Sequence, residues 1–198
     1  MVALADIQVV VMAFRTQPIR LLQSWLDELR DGGAAVRYGS PVRGIDLARE
    51  QACNRQVRDY ATGGRRYLLM IDHDMAPTET TDRILHAEGP LLYCGYVGHG
   101  GGRGHWGQGD FGCACCRIDA EVLTKIPKPR FAFGRKNDQL TCCECQWFQR
   151  QAAKAGVAPT MVGDVYHLQE VLVRYGSAGK MAMEWPWILE REIGERHD

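Results

Sequence analysis

Tyr67-Leu68-Leu69-Met70-Ile71-Asp72-His73-Asp74-Met75-Ala76-Pro77 decides how this chain is read. Five apolar residues run unbroken into two carboxylates spaced i, i+2. A run of that length reads as a strand buried on both faces, as in the middle of a parallel sheet. Two acids where such a strand ends are costly unless something cationic meets them. In open α/β sheets, ligands bind outside the carboxyl ends of the strands. Mg²⁺ or Mn²⁺ takes one or two protein carboxylates and completes its shell with water and phosphate oxygens, so Asp72 and Asp74 suit a hard divalent cation. The same two residues would also serve to cap a following helix or shape a turn. His73, between them, is read as solvent-facing or structural.

Outward from that strand, strands alternate with helices. Ile7 to Phe14 reads as a first strand. Pro18 opens a helix whose apolar residues Ile19, Leu22, Trp25, Leu26 and Leu29 recur at helical spacing, and Gly32-Gly33 closes it. Ala34 to Tyr38 is a second strand, and Ile45 to Ala61 a helix that breaks at Gly63-Gly64. Beyond the acids, Thr78 to Glu88 reads as a helix, Leu91 to Val97 as a strand, Phe111 to Cys116 as a strand and Ala120 to Ile126 as a short helix. Lys128 to Leu140 is a polar loop, Cys143 to Ala155 a helix ended by Gly156, and Met161 to His167 a last strand. This alternation predicts an α/β domain over residues 1–168 with a mostly parallel central sheet flanked by helices. Residues 169–198 are read as a tail whose Trp185-Pro186-Trp187 packs on the domain or on a partner. Seven of the twelve residues from Gly98 to Gly109 are glycine, too many for a helix or strand. That stretch lacks the Gly-Lys-Ser/Thr ending of a phosphate loop and reads as a surface or functional loop.

Composition narrows the function classes. The chain has 198 residues, enough to bury a full core as one domain. Lys plus Arg and Asp plus Glu are 24 each, so no basic excess points to nucleic acid. No stretch approaches the roughly 20 apolar residues that span a bilayer. The N-terminal apolar run lacks a basic leader, which reads as a strand and places the protein in the cytoplasm. Eight cysteines are many for such a chain. Six form two clusters, Cys113, Cys115, Cys116 and Cys142, Cys143, Cys145, without the C-x₂-C pairs of ordinary zinc modules. They are read first as buried small hydrophobes, then as a metal site, and last as disulfides.

Four ordered segments together resemble the GT-A glycosyltransferases, in particular small bacterial or phage members similar to family 2. Ala52-Cys53-Asn54-Arg55 resembles an A-R-N segment that holds the nucleotide, with a cysteine where arginine is usual. Asp72-His73-Asp74 matches the D-x-D motif. Gly112-Cys113-Ala114-Cys115-Cys116-Arg117-Ile118, followed by Glu121-Val122-Leu123, is similar to the glycine-rich strand and helix on the acceptor side. Cys143-Glu144-Cys145-Gln146-Trp147-Phe148-Gln149-Arg150 resembles the G-E-D helix start. Downstream, Asp164-Val165-Tyr166-His167 looks like the segment that supplies a histidine to the metal.

The resemblance implies a transferase that moves a sugar from a nucleotide-diphosphate sugar to an acceptor hydroxyl of a glycan, protein or small molecule. It implies Asp72, Asp74 and His167 as metal ligands, with Asn54, Asp72 and Arg15 at the nucleotide. Gly112, Trp147 and His105, with His99 and Trp106, fall on the acceptor side. Imidazole suits Mn²⁺ better than Mg²⁺, so Mn²⁺ is the expected cofactor and Mg²⁺ the alternative. The family's base position is Cys145, and a neutral thiol is a poor base. Glu144, at a helix start that favours its ionised form, or Asp138 takes that role. Three alternatives stay open. One is a catalytically impaired member that binds a nucleotide or glycan. Another is a zinc-binding structural protein built on the cysteines. The third, a nucleotidyltransferase, wants a glycine-rich basic loop after the first strand, and Phe14-Arg15-Thr16-Gln17-Pro18 does not supply one.

Overall fold

The structure, a computed structural model, describes residues 2–12, 20–39, 47–61, 63–97, 112–137, 139–167, 171–175 and 180–184. After a 3-10 turn at Leu4–Asp6, strand β1 covers Ile7–Met12 and every residue of it is buried. Helix α1, Arg20–Asp31, buries Leu22, Trp25, Leu26 and Leu29, the stripe its sequence spacing predicts. It ends at Gly33, whose φ of 98° a side chain would resist, and Ala34 N–H donates back to the Leu29 carbonyl at 2.9 Å. Strand β2 is Ala35–Tyr38, helix α2 is Leu47–Ala61 and strand β3 is Tyr67–Asp72. All six residues of β3 are buried, as an unbroken apolar run demands.

The chain continues through β4 (Met75–Pro77), α3 (Arg83–His86), β5 (Leu91–Val97), β6 (Cys115–Asp119) and α4 (Ala120–Lys125). Next come β7 (Gly134–Lys136), β8 (Gln139–Cys142), α5 (Glu144–Lys154) and β9 (Thr160–His167). A hairpin of β10 (Val171–Tyr175) and β11 (Lys180–Glu184) lies in the stretch read as a tail, and Trp185-Pro186-Trp187 lies outside the described residues.

Seven strands form one sheet in the order β2-β1-β3-β6-β5-β9-β4. Strands β2, β1, β3, β5 and β9 share one direction, while β6 and β4 run against it. The fold is therefore mixed α/β with a mostly parallel sheet, as the sequence predicts. Alternation along the strands divides the core in two. Ile7, Val9, Val11, Leu69 and Ile71 pack with α1 and α3. Val10, Met12, Leu68 and Met70 pack with α2, α4 and α5 on the other face.

Three elements differ from the sequence reading. The helix expected over Thr78 to Glu88 shrinks to the single turn of α3. Thr78 and Thr81 hydroxyls donate to the Asp164 carbonyl at 2.9 and 2.6 Å, and Asp164 N–H donates to Thr80 Oγ1 at 3.0 Å. These local hydroxyl bonds compete with helix and tie the segment to β9 instead. The strand expected over Phe111 to Cys116 begins only at Cys115 and runs through two charged residues to Asp119. Arg117 is tolerated there, 1% exposed, because carbonyls of Leu85 and Ala87 accept from its guanidinium, which also lies 4.6 Å over the Tyr67 ring. Within the polar loop of Lys128 to Leu140, the antiparallel pair β7–β8 turns at Asn137, whose φ is 50°.

Candidate functional site

The parallel strands end together. Met12 pairs with Asp72, His73 N–H donates to the Met12 carbonyl at 3.1 Å, and Gly39 N–H donates to Val11 at 2.9 Å. On the other flank Asp72 N–H donates to the Ala114 carbonyl at 2.8 Å. The backbone that carries Asp72 is thus held from both sides. Alternation after Leu68 and Met70 directs Asp72 to the face that carries α2 and α5. Asp72 is 3% exposed, whereas Asp74 is half-buried. His73 is 6% exposed, so the solvent-facing reading gives way to the structural one.

The chain then turns back as β4, which no sequence periodicity announced. It pairs antiparallel with β9, and Met75 stands opposite His167. The ladder therefore sets the His167 backbone beside the residue that follows Asp74. Two carboxylates on a strand end fixed by its neighbours are hard oxygen donors, and that chemistry fits Mn²⁺ or Mg²⁺.

Next to Asp72 lies the segment before β6. A Cβ on Gly112 would collide with the Tyr96 hydroxyl, and Ala114 N–H donates to that hydroxyl at 3.0 Å. Burial pushes the Tyr96 phenol well above its usual value, and the nearby Cys145 and Asp72 push in the same direction. Across from it, α5 opens on Cys143, whose Sγ caps the helix by accepting from Gln146 N–H at 3.4 Å. Cys145 is fully buried, accepts from Cys113 N–H at 3.3 Å and donates to Glu144 Oε1 at 3.5 Å. Its pKa stands well above the ordinary thiol value, first through its hydrogen bond with the Cys113 thiol and then through burial, with Cys143 opposing. A thiol held neutral in this way cannot act as the base at that position.

The Asn54 amide donates to the Phe131 carbonyl at 2.6 Å, and its oxygen accepts from Arg130 and Phe131 N–H at 3.1 Å each. It clamps the chain ahead of β7. Gly112 is buried against Tyr96. Glu144 is 2% exposed and bonded to the Cys145 thiol, which turns it into the thiol cluster and away from a solvent-borne hydroxyl. Trp147 is half-buried, with its indole N–H in a dry place and without a hydrogen-bond partner. Arg15, His99, His105, Trp106 and Asp138 lie outside the described residues, and His167 is described by its backbone. The eight cysteines are free thiols, seven of them buried, in line with the leading reading of them as packing residues.

The bond of Tyr96 to Ala114 and the contact between Cys113 and Cys145 escaped sequence reasoning, because they join residues 18 and 32 positions apart with no motif between them. A cavity of about 470 Å³ lined by Arg66, Tyr67, Pro90 and Asp119 lies at the opposite end of β3. Tyr67 begins that strand and Asp72 ends it, about 17 Å away at the usual rise. The cavity is separate from the acid pair. Among the described residues, no helix is long and apolar enough to cross a membrane.

No protein-family profile matches the sequence, and no curated protein matches it. Solved structures do share its fold. A197 from STIV superposes with a TM-score of 0.54 at 14% identity, over 90% of this chain and 93% of that one. A mutant of Drosophila β1,4-galactosyltransferase 7 in complex with manganese, UDP-Gal and xylobiose superposes with a TM-score of 0.52 at 15% identity, over 89% of this chain and 70% of that one. The catalytic domain of the same enzyme with xylobiose gives 0.51 at 14% over the same shares. At these identities the likeness is one of fold, and the fold is that of GT-A glycosyltransferases.

Proposed function

We propose that this chain transfers a sugar from a nucleotide-diphosphate sugar to an acceptor hydroxyl, with a divalent cation held by Asp72 and Asp74. The observation that carries the reading is the acid pair at the end of β3, where the parallel strands stop and β4 sets β9 alongside. The galactosyltransferase of like fold holds manganese and UDP-Gal, which supports the same class of donor and cofactor here.

Asp74, the more exposed acid, contacts the cation directly, and Asp72 reaches the nucleotide or the same ion. His167 is the third ligand, supplied from β9. When bound, the cation neutralises the departing diphosphate as a Lewis acid. The chain's own contribution is position: the strand end holds both carboxylates in place before any ligand arrives. Trp147 offers a dry indole N–H on the acceptor side.

The burial of Glu144 and the neutral Cys145 favour a second reading, in which the protein binds a nucleotide sugar without transferring it. One experiment addresses both. Calorimetry of the full chain with a panel of nucleoside diphosphates, with and without Mn²⁺, reads binding, and free sugar released from the matching nucleotide sugars reads turnover. Mn²⁺-dependent binding that falls at least about tenfold in Asp74→Ala is expected, together with slow Mn²⁺-dependent sugar release. Binding without turnover would select the second reading. Binding indifferent to Mn²⁺ and to Asp74→Ala would remove both.

A further inference from the structure

A second ligand set lies at the start of α5. The two sulfurs of Cys143 and Cys145 and a carboxylate oxygen of Glu144 all lie within 4.8 Å of one another. Tetrahedral zinc takes sulfur at about 2.3 Å and carboxylate oxygen at about 2.0–2.2 Å, which sets neighbouring ligand atoms roughly 3.5–3.8 Å apart. The contact from Cys145 Sγ to Glu144 Oε1 is already 3.5 Å. The group is therefore within about 1 Å of closing on an ion of that size.

The group is tied to its neighbours by backbone groups: the Cys113 N–H donates to Cys145 Sγ at 3.3 Å, and the Cys116 thiol donates to the Cys113 carbonyl at 3.6 Å. Two backbone N–H groups already point at ligand sulfurs: Gln146 at Cys143 and Cys113 at Cys145. Donors aimed at sulfur orient it, as outer-shell groups do around metals. Two sulfurs and one carboxylate select a zinc-class ion over Mg²⁺ or Ca²⁺.

We propose that Cys143, Glu144 and Cys145 bind a zinc-class divalent ion at the start of α5, where Cys145 Sγ also accepts from the Cys113 N–H of the segment before β6. That segment supplies the Ala114 carbonyl that holds Asp72 N–H. The site is independent of the donor reading above, since it shares no ligand with Asp72 or Asp74.

The test uses the full chain, purified under reductant from zinc-supplemented cells and desalted. About one zinc per chain is expected by elemental analysis. Cobalt exchanged into the site is expected to show thiolate-to-cobalt charge transfer and the visible bands of a tetrahedral ion. Asp74→Ala retains the zinc, whereas Cys143→Ser, at a half-buried position, weakens its affinity at least about tenfold. Folded, reduced protein that is free of zinc and shows no thiolate absorption with added Co²⁺ would overturn the proposal. Thiol mapping that finds Cys143 or Cys145 in a disulfide, or zinc held equally well by Cys143→Ser, would do the same. Loss of nucleotide binding with zinc intact would instead remove the donor reading alone.

Discussion

Asp72-His73-Asp74 and Cys143-Glu144-Cys145 are both three-residue groups at the boundary of a regular element, yet they offer different donor atoms. The first offers hard oxygens at a strand end, with Asp74 partly open. The second offers sulfur around a carboxylate that is 2% exposed. Strand ends in a parallel sheet leave side chains facing ligands, whereas the start of α5 is pressed into the core beside Phe148, whose ring stacks on Phe131 at 4.6 Å. The largest expected effect tests this separation. Replacing both Asp72 and Asp74 with Asn should depress Mn²⁺-dependent sugar release by at least roughly 100-fold, since the cation's charge stabilisation amounts to several kcal/mol. The zinc content of that variant should stay as it is. A variant that lost both ions would show the two groups to be one site.

The next effect concerns what keeps the thiol group dry. Phe148 and Phe131 are both fully buried and stack with an interplanar angle of 7°. Phe148→Ala should cost about 3–5 kcal/mol in the denaturant midpoint. It should also admit solvent to Cys145, read as faster alkylation of that thiol in the metal-free protein. Asn54→Ala comes below it. This change removes three hydrogen bonds to the chain at Arg130 and Phe131 and should cost about 1–3 kcal/mol. Nucleotide binding in Asn54→Ala should follow stability and nothing more. A selective loss of nucleotide affinity in a fully folded Asn54→Ala would return that residue to the donor site.

The core of the fold was legible because burial writes itself into local pattern. Tyr67 to Ile71 carries the signal of a strand covered on both faces, and Leu22, Trp25, Leu26 and Leu29 the signal of a helix covered on one. What could not be read was set by partners far along the chain. Thr78, Thr80 and Thr81 look helical until Asp164 takes up their hydroxyls. Arg117 looks like the end of a strand until the carbonyls of Leu85 and Ala87 surround it. The hairpin at Lys136 to Gln139 did carry a local sign, an asparagine where the backbone turns left-handed. The position of Asp72 and Asp74, where the buried strand gives out, could be read from the strand itself. The inward turn of Glu144 could not, because it depends on Cys145 and on the Cys113 segment 32 residues earlier.

The smallest effect belongs to the opposite end of β3, and there the charges serve structure. Asp119 accepts from Glu121 N–H at 2.9 Å as the cap of α4, and also from Arg66 Nε at 3.2 Å. The Arg66 side chain is 65% exposed, so the ion pair is screened by water, whereas Asp119 is 9% exposed and its cap bond is protected. Asp119→Ala should therefore cost about 1 kcal/mol, the usual worth of a cap. Arg66→Ala should leave the unfolding midpoint where it is. Equal losses in the two variants would mean that the ion pair, and not the cap, holds this corner. Neither change should alter nucleotide binding or zinc content, because Tyr67 and Asp72 stand a full strand apart, and any such effect would make the cavity beside Arg66 part of the site.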